Sequence, residues 1–218
     1  MKKFTVITGH YGAGKSNISA NLAVKLADAG KKAAVIDMDI VNPYFRTADL
    51  SELFENRGIT LAAPEYANSN LDIPVLNFDL EQLAAENEYV IADVGGDDAG
   101  AVAIGKYSRT LEAFGDNLNM LYVINQYRYL TGTPEDAVAV MREIENVARI
   151  RHTGIINNSN LGFETTNKDI ENSIEFAEKI SEISGLPLIF NAYMKGLDPK
   201  VSPKTEVEVY VRPLWEIY

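Results

Sequence analysis

The chain has no cysteine among its 218 residues. Disulfides, thiolate zinc sites and cysteine-held iron–sulfur clusters are therefore excluded on it. Positive charge is also scarce. Twenty lysine and arginine residues stand against 31 acidic ones, a net charge of −11. The densest basic stretches are only the pairs Lys2–Lys3 and Lys31–Lys32, so nucleic acid is not expected as a partner. No run of about 18 apolar residues occurs, so no membrane association by a spanning helix is expected. Met-Lys-Lys leads directly into a strand-like run with no signal-peptide core. The expected compartment is the cytoplasm.

What is present is a core-forming composition, 46% hydrophobic, at a length suited to one domain over residues 1–218. Apolar runs alternate with helical patterns. Phe4–Thr8, Ala33–Asp37, Ile59–Ala62, Tyr89–Asp93, Leu118–Asn125, Thr153–Asn157 and Leu186–Phe190 read as strands. Helices are expected at Lys15 to about Ala29, closed by Gly30, and over 98–114, 134–148 and 167–184. Thr133, Pro134 and Asp136 form an N-terminal signature with a capping box. Such βα repetition predicts a three-layer, doubly wound α/β fold, a mostly parallel sheet with helices on both faces. Residues 63–77 read as a long loop. Val207, Val209 and Val211 alternate with polar residues in a proline-flanked tail, which predicts an edge strand.

Residues 9–16, Gly-His-Tyr-Gly-Ala-Gly-Lys-Ser, fit G-x-x-x-x-G-K-[ST] between a strand and a helix. Gly9, Gly12, Ala13, Gly14, Lys15, Ser16 and Asn17 are candidate nucleotide-binding residues there. Glycines permit the tight turn, and the helix N-terminus favours an anion. Lys15 would reach the β- and γ-phosphates, and the Ser16 hydroxyl would bind Mg2+.

Hydrolysis also needs metal ligands and a group that positions water. One strand ends Val-Ile-Asp37-Met-Asp39, another Val-Ile-Ala-Asp93-Val-Gly95-Gly96. In a doubly wound sheet both tips lie on the ligand edge. Asp93 is the candidate metal ligand with Ser16, and Gly96 or Gly95 a backbone donor to the γ-phosphate. Asp39 is the candidate for orienting water or joining the metal shell, with Asp37 in support; Lys15, Asp39 and Asp37 are the catalytic candidates. Asp97 and Asp98 read as caps of the following helix.

The stretch from Val6 through Ser16, then Asn21-Leu-Ala and Gly30 to Asp39, resembles the MinD/ParA/CobQ-type P-loop ATPases. The Asp37-Met-Asp39 pair is the most specific point of likeness. The resemblance spans roughly residues 1–160 and is strong over 4–46. It implies an ATPase using ATP and Mg2+, forming an ATP-dependent homodimer and acting as a switch on a protein partner or in delivering a cofactor. In that family a lysine at the second loop position reaches across the dimer. Here that position is His10, which is shorter and only partly charged near neutrality. Arg46 and Arg128 are the alternative sources of positive charge. The family's base-reading asparagine aligns with Asn158, or next with Asn157. An amide pairs with adenine N6 and N7. No Asn-Lys-x-Asp motif occurs, which favours ATP/ADP over guanine nucleotides. A second class with the same fold is the ATP-dependent ligase of cobyrinate amidation or dethiobiotin synthesis, which activates a small carboxylate substrate. Tyr44, Phe45, Glu65–Asn70 and Asn125–Tyr129 are candidates for meeting a substrate or partner.

Overall fold

In the computed structural model, residues 1–39, 50–63, 77–96 and 98–211 are described. Eight strands form one sheet: β1 Phe4–Gly9, β2 Ala33–Met38, β3 Thr60–Ala62, β4 Tyr89–Val94, β5 Leu118–Ile124, β6 Gly154–Asn157, β7 Leu188–Met194 and β8 Lys204–Val207. Their order is β3-β2-β4-β1-β5-β6-β7-β8. Every pairing is parallel.

A parallel sheet needs cover on both faces, and the pleat of the strands divides the core accordingly. Ile7, Val35, Ile91 and Val123 face one side with Ile18, Ala23 and Val24 of α1 (Lys15–Asp28) and Phe54 of α2 (Ser51–Asn56). Phe4, Val6, Ile36, Val90 and Ala92 face the other, where α3 (Leu80–Glu86), α4 (Asp98–Lys106) and α5 (Ser108–Glu112) contribute Leu80, Ile104 and Leu111. That layer continues over Tyr122, Ile124 and Ile155 with Met141 of α6 (Pro134–Ala148) and Phe176 and Ile180 of α8 (Ile174–Ser184). The three-layer expectation holds, and the sheet is parallel throughout.

Several local readings are sharpened. Thr133 caps α6 by accepting from the Asp136 N–H. The reciprocal capping box lies instead at α7 (Asn167–Asn172), between Thr166 and Asp169. The expected helix over 98–114 divides at Tyr107 into α4 and α5, and that over 167–184 divides at Ser173 into α7 and α8. Ser173 turns its hydroxyl back onto the Ile170 carbonyl, a local bond that competes with helix continuation. The strand expected at Leu186–Phe190 runs later, to Met194. Most of the loop expected over 63–77, and Asp97, Tyr44, Phe45, Arg46 and Glu65–Asn70, lie outside the described residues.

The tail forms an edge strand, but with a different extent. Only Val207 of the three alternating valines belongs to β8. Beyond it the chain crosses onto α1. Asn21 accepts from Glu208 N and donates to Glu208 O, both at 2.8 Å. Asn17 donates to Glu208 O at 3.0 Å and accepts from Tyr210 N at 2.8 Å. Two amides one helical turn apart thus grip an extended segment as a neighbouring strand would.

Candidate functional site

β1 ends at Gly9, and residues 10–14 turn back to start α1. Ala13 N donates to His10 O at 3.1 Å, and Ile18 N to Gly14 O at 3.0 Å. Gly14 precedes the helix with φ of 89°, a left-handed conformation that a side chain disfavours. A Cβ there would also lie 2.3 Å from Asn158 Nδ2. The N–H groups of Gly12 and Gly14 donate to no protein acceptor among the described residues. With the N-terminus of a 14-residue helix beside them, they suit an anion.

Lys15 is 6% exposed. Its Nζ donates to His10 O at 3.2 Å, which arches the side chain back over its own loop. Gly96, after β4, meets it from the far side. A Cβ on Gly96 would fall 2.6 Å from both Lys15 Nζ and Tyr11 N, so only glycine permits this approach. His10 does not line the cavity described below; its Nδ1 lies 3.0 Å from Tyr11 O.

Three carboxylates sit at the strand tips. Asp37 of β2 and Asp93 of β4 are register partners on adjacent strands. Both are fully buried, and Asp39 is 7% exposed. Asp37 Oδ1 accepts from Asp39 N at 3.0 Å and so fixes the chain where it leaves β2. Of these two, Asp39 lines the cavity and Asp37 supports it from beneath. Asp93 Oδ1 accepts from Ser19 Oγ at 3.2 Å, whereas Oδ2 is buried with no hydrogen-bond partner among the described residues. Burial, and then the Asp37 charge, push the Asp93 carboxyl up to about 7, against the Ser16 hydroxyl and the Lys15 charge.

A buried carboxylate oxygen beside a serine hydroxyl suits a hard divalent cation. Ser16, Asp93 and Asp39 are all hard oxygen donors, as Mg2+ requires. Among the described residues no cluster of three or more His, Cys, Asp or Glu is arranged to hold a metal alone. Mg2+ at nucleotide sites uses one or two protein ligands, water and phosphate oxygens.

The loop opens into a cavity of about 780 Å³, of a size that suits a small-molecule ligand. Lys15, Ser16 and Asp39 lie at one part of its wall; Asn158, Phe163, Tyr193 and Val209 form others. Asn158 lines it and donates to Ala13 O at 2.8 Å. Asn157 is turned into the interior, donating to Ser173 Oγ at 2.9 Å and Asn191 Oδ1 at 2.8 Å. Asn17 lines the cavity while holding the tail. Phe163, Tyr193, Val209 and Val211 also stand in this wall, a place not expected from the sequence. The asparagine pair at 17 and 21 was the available signal, because asparagine is a poor helix former unless its amide has a task.

Behind the loop lies a second polar group. Thr8 Oγ1 is 2.7 Å from His152 Nε2, and His152 Nδ1 is 3.1 Å from Glu145 Oε1. Glu145 also accepts from Arg142 at 2.7 Å and Arg151 at 2.6 Å. Thr8, His152 and Glu145 are buried and brace β1, while Arg142 and Arg151 reach the surface.

The chain is 27% identical to ATPase ARSA1 of Chlamydomonas reinhardtii over 157 residues, which is 67% of this chain and 19% of that protein. It spans about a fifth of that relative's length. FtsY from Mycoplasma mycoides superposes with a TM-score of 0.57 at 20% identity, covering 85% of this chain and 58% of that one. The signal recognition particle 54 kDa protein of Aeropyrum pernix K1, in complex with GDP, superposes at 0.55 and 16% identity, covering 87% and 41%. These two likenesses concern the fold. Residues 4–182 match the CobQ/CobB/MinD/ParA nucleotide binding domain, and the chain belongs to that family.

Proposed function

We propose that this chain binds ATP with Mg2+ and hydrolyses it, and that the turnover acts as a switch on a partner protein or in a cofactor-delivery step. The reading rests chiefly on one observation: Lys15 arches over an anion-ready loop beside strand-tip carboxylates, one of which, Asp93, has a buried oxygen with no hydrogen-bond partner among the described residues. Lys15 binds the phosphate chain, Ser16 and Asp93 hold the metal, and Asp39 orients the attacking water from the cavity wall while Asp37 fixes Asp39. Bound Mg2+ would supply charge neutralisation of the phosphates. The water oxygen bonds to the terminal phosphorus as its bond to the bridging oxygen breaks. ADP departs with the electron pair, and the water's proton ends on the released phosphate.

Asn158 supports adenine. Its Nδ2 commits one hydrogen to Ala13 O, and its Oδ1 accepts from no described residue, so it remains able to accept from an adenine N6 amine. ATP over GTP is part of the proposal, since the chain has the fold of a protein solved with GDP. The ligase alternative needs a cationic pocket for a carboxylate substrate. Lys15 and Arg128 are the basic residues lining the cavity among those described, and both stand against the phosphate loop. Among the described residues no helix is long and apolar enough to cross a membrane. We place the protein in the cytoplasm, with ATP-dependent pairing of two copies as its assembly.

Phosphate release from ATP–Mg2+ tests the reading, combined with the mass of the particle in solution. Release by the wild type, lost in Asp39→Asn with nucleotide binding retained, supports it. Release that starts only when a carboxylic acid is added would favour the ligase.

A further inference from the structure

Arg128 follows β5 in a segment held from both sides. Its own N–H donates to Asn125 O at 3.2 Å, and its carbonyl accepts from Thr131 N at 3.1 Å. Asn125 Oδ1 accepts from Tyr127 N at 3.0 Å, Gln126 N donates to Ser159 Oγ at 2.9 Å, and Tyr127 Oη donates to Asp169 O at 2.7 Å. A surface arginine ordinarily extends into water. This one folds back over the phosphate loop, where Nε donates to Gly12 O at 2.8 Å. The arginine stem packs directly on Gly12, where an added Cβ would reach Nε at an ordinary contact distance of 3.4 Å; the φ of +75° there is what favours glycine. The two Nη groups have no protein acceptor among the described residues.

The charge balance of the cavity gives this placement meaning. Three carboxylates stand at the strand tips, and a triphosphate with one Mg2+ adds further negative charge. Among the described residues lining the cavity, Lys15 and Arg128 are the two basic groups. The second loop position, where a cation from a second copy would originate, is His10, whose Nδ1 faces its own loop at Tyr11 O. We propose that Arg128 is a catalytic cation supplied from within the chain: anchored to the loop through Nε, it donates through Nη to the phosphate chain and stabilises charge moving onto the bridging oxygen. Hydrolysis therefore does not require a second copy. This rests on the nucleotide reading above and adds to it the identity of the activating cation. Preorganised guanidinium donors of this kind act mainly on the transition state, because they are already aimed when charge develops.

The test compares wild type, Arg128→Ala and Arg128→Lys in ATP–Mg2+ and ADP–Mg2+ calorimetry and in single-turnover phosphate release. The expected result is a loss of about a hundredfold or more in the release rate of Arg128→Ala, with ADP affinity kept within about threefold. Added guanidinium restores part of that rate, Arg128→Lys is intermediate, and wild-type activity per molecule is constant on dilution. Unchanged release in Arg128→Ala would overturn the proposal. So would equal loss of ADP affinity and rate without guanidinium rescue, which would make Arg128 a structural staple only. Wild-type activity that falls with dilution, or that needs an added activator, would also overturn it. A wild type that binds no adenine nucleotide removes the parent reading; binding and turnover with an indifferent Arg128 removes only this inference.

Discussion

The carboxamide of Asn158, on the loop after β6, donates to the main-chain oxygen of Ala13 inside the phosphate loop at 2.8 Å. One side chain therefore touches the loop that precedes α1 and lines the cavity where a base would lie. Asn158→Ala removes both contacts. Calorimetry should show nucleotide affinity lower by about tenfold, near the net worth of one or two hydrogen bonds. Thermal stability should fall by about 1 kcal/mol. Unchanged affinity would detach Asn158 from the site.

Asp93 is held in a place that disfavours its charge. Burial and the neighbouring Asp37 raise its carboxyl to about 7, so the fold loses stability as pH rises from the unfolded value of about 3.9 to about 7, and above that pH the cost is fully present. Asp93→Asn keeps the shape without the charge. Without nucleotide the variant should be more stable, by about 1–2 kcal/mol, and it should lose magnesium-dependent turnover. A variant that melts lower than wild type, or turns over normally, contradicts this.

The group behind β1 predicts an acid-sensitive brace. Burial lowers His152 below its ordinary value, opposed by its bond to Glu145. Burial alone would raise Glu145, but hydrogen bonds from His152, Arg142 and Arg151 outweigh it and hold the carboxyl below its usual range. Stability from such a histidine is fully present above its unfolded value of about 6.5 and is lost as pH falls through the lower folded value. Stability from such a glutamate is likewise lost on acidification, below about 4.3. Asp93 contributes the opposite slope, so the Asp93→Asn background isolates the effect. There the urea midpoint should fall as pH drops below about 6.5, and His152→Gln should flatten the first part of that fall. A midpoint that rises on acidification in this background would refute the assignment.

Asn17 joins the tail to the helix that begins at the phosphate loop, accepting from Tyr210 N and Val211 N and donating to Glu208 O. Asn17→Ala leaves Glu208 to Asn21 and its Lys195 ion pair, and takes the side-chain acceptor away from Tyr210 and Val211. Limited proteolysis should cut within residues 208–211 in the variant and spare the wild type. Nucleotide affinity should also weaken, since Val209 and Val211 line the cavity. Identical cleavage patterns would show that the strap does not depend on Asn17.

The strands, the loop at residues 9–16 and the acidic strand tips were legible because each is written locally: a β-branched run, a glycine spacing, an aspartate after an apolar run. The short α2 and α3 were not, since six or seven residues show little helical period. The split at Ser173 was hidden because apolar spacing continues across it. The alternation in the tail marked an edge strand correctly, but its end is set by amides of α1, 187 residues earlier in the case of Asn21 and Glu208. The division of labour between Asn157 and Asn158 was equally out of reach. Ser173 and Asn191 claim the first from inside the fold, and Ala13 claims the second at the cavity.

Titration calorimetry of ATP with Mg2+, on the wild type and on Lys15→Ala, bears most directly on the whole account. The wild type should bind with saturating heat that vanishes when the metal is chelated, and Lys15→Ala should bind at least about tenfold more weakly. No heat from the wild type, or equal affinity in the two chains, would contradict it.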